Sequence, residues 1–169
     1  MYGRDNGEMN KVASLLNISI KDVKKLIKNE ILKSYKRSLL QSFYISEESI
    51  NEVNEIINSG KFISLKNVPA LIECPPNWLK RYWIDTKYLE IIDLKIDKYV
   101  SYSDINNINN LRTDYFTGVE ASRYLNMPHQ HITNLHTQGL VKAYYFGQEE
   151  KIRLFLKNDI YALKEKYGL

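Results

Sequence analysis

Along the last third of the chain the apolar positions fall first at helical and then at strand spacing. Val119 to Leu125 predicts a short amphipathic helix with Ala121, Tyr124 and Leu125 turned inward. Asn126-Met127-Pro128 breaks it, and proline suits the first turn of a following helix because its missing N–H would be unbonded there anyway. His129 to Gln138 is that second helix, with Ile132, Leu135 and His136 on the inner face. Gly139 suits the left-handed residue that ends it. Leu140 to Phe146 and Lys151 to Leu156, around Gly147-Gln148, predict a hairpin. Asn158 or Asp159 caps a last helix, Ile160 to Tyr167. The order is helix, turn, helix, hairpin, helix.

The same order opens the chain. Ser19 and Asp22 are spaced like a capping box in which Asp replaces Glu or Gln, and Val23, Leu26 and Ile27 face inward. Lys33 to Gln41 supplies one hairpin arm and Phe43-Tyr44-Ile45 the other. Ser46, followed by Glu47 and Glu48, starts a closing helix that runs to Asn58, since acids in a first turn suit the positive helix end. Ser59-Gly60 stops it.

These two regions are related residue by residue. Val12 to Tyr35 aligns with Ala121 to Tyr144 at a constant offset of 109, pairing Leu16 with Leu125, Asn17 with Asn126, Val23 with Ile132, Leu26 with Leu135 and Tyr35 with Tyr144. Phe43 to Val53 matches Lys98 to Ile108 at an offset of 55, and LFLKNDIYAL (Leu154 to Leu163) carries the pattern a third time. The three matches agree on one period, with boundaries near Gly60 and Tyr115. The expectation is therefore a mainly α fold with small β-hairpin wings, an α+β fold of three tandem units: 8–60, 61–115 and 116–169. Units of this size are marginal alone, so the three are expected to pack together.

The middle unit fits least well. Pro75-Pro76 begins its second helix, and Trp78, Leu79, Tyr82 and Trp83 form an apolar stripe. Strict register would place Arg81 in the core, so a rotation or slip of that helix is expected.

Two helices joined by a tight turn, then a hairpin, resemble the winged helix-turn-helix family shared by MerR-type regulators and phage or transposon excisionases. The resemblance rests on KVASLLNISIKDVKKLIKNEILKSY, VEASRYLNMPHQHITNLHTQGLVKAY and the NDI of the last unit. In the first unit Glu30 stands where the family, like the third unit at Gly139, has glycine. No coiled-coil helix or effector domain of the MerR kind is expected from these residues, so the resemblance does not imply drug or metal sensing.

The resemblance implies that the second helix enters a major groove. In the third unit the outward residues are His129, Gln130, Thr133, Asn134 and Thr137, and Gln and Asn amides pair bidentately with adenine. In the first unit they include Lys21, Lys24, Lys25 and Lys28, which suit phosphates, with Lys36 and Arg37 on the wing. Lys80 and Arg81 of the middle unit could touch phosphates, although packing is the ordinary role of an aromatic stripe.

Composition changes this picture little. The net charge is only +4, from 24 Lys+Arg against 20 Asp+Glu, which permits a nucleic-acid partner without requiring one. Its distribution says more: residues 10–45 hold eight Lys+Arg against only Asp22 and Glu30. A lysine-rich helix face is by default merely solvated, and its place on a second helix is what points to DNA. The one cysteine, Cys74, excludes an internal disulfide and reads as a small apolar filler. His129, His131 and His136 do not share a helix face, so no metal or other cofactor is expected. There is no phosphate-cradling glycine loop or nucleophile elbow, and no enzyme is expected. The polar start MYGRDNGEMN lacks the apolar run of a signal peptide, and no long apolar stretch follows, so a cytoplasmic protein without membrane association is expected.

The expected function is double-stranded DNA binding by an accessory or regulatory factor of a mobile element, phage or plasmid. Its protein partners would be a recombinase, replication or transcription protein. The competing expectation is a protein-protein interaction adaptor whose winged units have lost DNA contact.

Overall fold

The computed structural model describes residues 5–37 and 42–168, a mixed α/β chain with small antiparallel sheets. It divides into two compact units, Met1–Leu71 with Ile91–Ser103, and Ile72–Glu90 with Asp104–Leu169. This division does not fall at Gly60 and Tyr115; the residues between those points are shared between the two units.

In the first unit α1 (Asp5–Leu16) and α2 (Ile20–Lys28) are joined by a three-residue turn. Asn17 turns the chain with φ 54°, and the Ser19 side chain caps α2 by accepting from the Asp22 N–H at 3.1 Å. The Ser19 hydroxyl also donates to the Asp22 carboxylate at 2.6 Å, so the carboxylate meets the capping hydroxyl, and the bond from the Ser19 N–H that would complete the expected capping box is not made. Glu30 ends the second turn in the left-handed region at φ 58°. Leu16, Val23, Leu26 and Leu32 are fully buried, with Met9, Val12, Ile45 and Val53 in the same cluster. β1 (Ser34–Arg37) pairs antiparallel with β2 (Ser42–Ile45); Arg37 is the last described residue of that arm, and residues 38–41 of the expected arm lie outside the described residues. α3 (Glu47–Asn58) starts where the sequence placed it, capped by Ser46. Ser49 ties this corner to the hairpin: its hydroxyl accepts from the Lys33 N–H at 3.1 Å and donates to the Ser46 carbonyl at 2.9 Å. The unit also holds a second sheet in the order β3 (Phe62–Ser64), β5 (Lys98–Ser101), β4 (Ile92–Asp93).

After α6 (Tyr102–Asp114), a three-stranded sheet of the same order forms the second unit, with β6 (Tyr115–Thr117) beside β8 (Ile152–Leu156), which pairs with β7 (Ala143–Phe146). The leading strand was not expected; at three residues it is too short to show a period. Thr117 caps α7 (Gly118–Tyr124) in a full capping box with Glu120. Asn126 turns the chain at φ 52°, α8 (His129–Thr137) follows Pro128, and Gly139 ends that turn at φ 72°. Ala121, Leu125, Ile132, Phe155 and Ile160 make the core. Two details depart from the sequence reading. Tyr124 is 39% exposed rather than inward, stacked on Phe116 at 5.6 Å and covered by the Lys164 ammonium. α9 (Lys157–Tyr167) begins directly after β8, so Asn158 and Asp159 sit in its first turn and cap nothing.

In the middle of the chain a pair of left-handed corners recurs with one change of spacing. After α4 (Val68–Leu71), the left-handed residues are Glu73 and Lys87, fourteen apart, whereas Asn17 and Glu30, like Asn126 and Gly139, are thirteen apart. The surplus residue is absorbed between Leu79 and Trp83, where α5 (Pro76–Trp78) widens into a π-helix, Leu79–Ile84. The insertion keeps Leu79 and Trp83 buried and leaves Arg81 outside, which is the slip that the register conflict foreshadowed. Ile72, Leu79, Trp83 and Leu89 are buried as Leu16, Val23, Leu26 and Leu32 are.

Candidate nucleic-acid interface

α2 is a rod with one apolar and one cationic side. Val23 and Leu26 are fully buried behind it, and Lys21, Lys24, Lys25 and Lys28 are all exposed on the opposite stripe. None of these four ammoniums lies within ion-pair distance of a carboxylate among the described residues. Asp22, the one acid on the helix, is occupied by Ser19. Lys36 and Arg37 occupy backbone positions in β1 opposite Phe43 and Ser42.

α8 presents a different surface. His129, Gln130, Asn134 and Thr137 are exposed, and neither the Gln130 nor the Asn134 amide is hydrogen-bonded to another described residue. Thr133 is half-buried and already engaged, because its hydroxyl oxygen accepts from the Arg153 guanidinium at 2.9 Å. It holds an arginine in place rather than facing outward. The Thr137 hydroxyl donates back to the Thr133 carbonyl at 2.9 Å. His136 is fixed against the Val141 carbonyl, 3.1 Å from its Nδ1.

On the π-helix the two expected cations differ. Lys80 is paired with Asp85 at 2.7 Å, whereas Arg81 is exposed beside the Tyr82 ring, 5.8 Å from its centroid. The expected aromatic stripe divides: Trp83 is buried at 2% exposure, while Trp78 and Tyr82 are half-buried and meet edge to face at 6.2 Å.

Arg81 does not stand alone. It lines a cavity of about 190 Å³ together with Tyr82, Thr86, Gly118, His129, Lys151 and Arg153. Four of these seven residues are basic. The cavity brings together two residues the sequence singled out, Arg81 and His129, and two it did not, Lys151 and Arg153. Arg153 lies in β8, between the buried Ile152 and Leu154, so strand alternation turns it away from them, whereas Lys151 precedes the strand and nothing in its local sequence marks it.

Nearby, Glu120 is held by the Arg112 guanidinium at 2.8 Å and by the Thr117 N–H at 2.8 Å. Burial pushes its carboxyl up, but those bonds to the charged form outweigh burial and hold it below the ordinary glutamate range. Burial raises the Cys74 thiol, which disfavours a reactive thiolate. Among the described residues no group of three metal-ligating side chains is found, and no helix is long and apolar enough to cross a membrane.

Compared with protein-family models, with curated proteins and with solved structures, the chain matches none.

Proposed function

We propose that this chain binds double-stranded DNA through winged helix-turn-helix units of the MerR and excisionase type, arranged as three tandem copies of which the middle one is degenerate. The observation that carries the reading is the α2 stripe. Four ammoniums, unpaired among the described residues, lie along one side of a helix whose other side is locked into the core by Val23 and Leu26. Such a rod matches the major groove in width, and its charges face the phosphates that supply affinity. The recurrence of the two left-handed corners and of the three-stranded sheet order supports the tandem arrangement. In this reading α8 supplies base contacts through Gln130 and Asn134, with His129 and Thr137 beside them. The biological setting that fits is a mobile element, phage or plasmid, where such a factor assists a recombinase or regulates transcription.

The test is titration on pooled random duplexes at two salt concentrations. Replacing Lys24, Lys25 and Lys28 by Gln should lower the slope of log affinity against log salt by about 2.7, from about 0.9 per phosphate contact. Asn134→Ala should instead flatten preference among sequences at nearly unchanged slope. Absence of duplex binding at low salt removes the reading.

A second reading is favoured by the half-buried pair Trp78 and Tyr82: an adaptor that docks a protein partner through the π-helix segment. It predicts a stoichiometric partner bound with affinity insensitive to salt.

A further inference from the structure

The cavity of the second unit has the chemistry of an anion seat. Arg81, Lys151, Arg153 and His129 line it with no carboxylate among the lining residues. Arg153 is preorganised, because Thr133 accepts one of its N–H groups at 2.9 Å and its guanidinium stands over the Phe155 ring at 5.6 Å. His129 reaches in because Gly118 has no side chain, since a Cβ there would stand 3.2 Å from His129 Nε2. Lys151 is held at the rim by Glu149 at 2.5 Å, with the two side chains 54% and 74% exposed. A surface pair of that kind contributes little stability, so an entering anion exchanges with the carboxylate at small cost. Arginine forks and a lysine converging on one small volume are the donor set that recognises a phosphoryl group.

We propose that this cavity binds a single phosphoryl group, and, resting on the DNA reading above, that the group is a backbone phosphate lying beside α8. The first arm of the test uses inorganic phosphate alone. Sodium phosphate is titrated into the full chain against sodium chloride at matched ionic strength and pH, with the imidazole resonances of His129, His131 and His136 followed by NMR. The His129 signal should shift saturably while the other two stay still, and the shift should vanish in the double variant Arg81→Gln/Lys151→Gln. Both substituted residues are on the surface, and the thermal unfolding curve of the variant verifies that it folds. A His129 signal that stays unmoved, or three signals that drift together without saturating, overturns the proposal.

The second arm uses a duplex. In the double variant the salt slope should fall by about two, one for each lost cation. If phosphate binding is lost while the slope is unchanged, the phosphoryl seat stands and its ligand is a free phosphorylated molecule, which overturns the backbone assignment. If the wild-type chain binds no duplex at any salt, the DNA reading fails, and the phosphate arm decides the cavity by itself.

Discussion

Glu30 and Gly139 hold equivalent corners, at φ 58° and φ 72°, and only one of them is glycine. An L-residue with a Cβ pays about 1–2 kcal/mol in the left-handed region. Exchanging it for glycine removes that strain but frees the unfolded chain, which costs about 0.4–1 kcal/mol. The net for Glu30→Gly is a gain of about 0.8 kcal/mol, because the side chain is exposed and enters no ion pair among the described residues. The reverse change, Gly139→Ala, should lose about as much, since nothing lies within 4 Å of a Cβ built there and only the backbone strain acts. Urea denaturation at constant slope would measure both, and the melting temperature should move by about 2–3 °C in opposite directions for a chain of this length. Glu30→Ala is the control: it keeps the strain and should change little. If Glu30→Gly destabilises the chain, or if both glycine changes shift stability in the same direction, then backbone strain is not what distinguishes these corners.

Three further outcomes follow from the same geometry. Trp83→Ala should cost about 3–5 kcal/mol in chemical denaturation, because it empties a buried site behind the π-helix. Ser46→Ala should cost about 1 kcal/mol, since it removes the cap of α3 from the Ser49 N–H. The Glu120 carboxyl sits below the ordinary glutamate range, so its contribution is complete above that range and is lost as pH falls through the lowered value; Glu120→Gln should therefore flatten the acid limb of a stability-against-pH curve, and an unchanged limb would refute the assignment.

What could be read from the residues themselves was mostly local. Ser46 before Glu47-Glu48, Pro128 after Asn126, and Gly139 each act within one helical turn, and each element boundary they signalled is found within a residue or two. The offset of 109 also extends to the backbone, with Asn17 and Asn126 both at left-handed φ, 54° and 52°. The middle segment announced its own exception, because a charged Arg81 cannot occupy a core position without a partner. Other features depended on distant parts of the chain. β6 is defined only by its pairing with β8, so three residues of sequence could not reveal it. Thr133 looked like a groove-facing hydroxyl until Arg153, twenty residues on, was seen to claim it. Lys151 and Arg153 were missed because their importance lies in meeting Arg81 and His129, which is a tertiary fact.

The widened helix at Leu79–Ile84 bears on how this segment tolerates change. Its fully buried contacts are made by Leu79 and Trp83, Tyr82 is half-buried between them, and Lys80 and Arg81 ride on the outside of the coil. Substitutions at 80 and 81 therefore change the charge of the exposed side while the core behind it stays set. At the level where α2 shows Lys25 and α8 shows Asn134, the wider coil has room for two neighbouring side chains, the exposed Arg81 and the half-buried Tyr82.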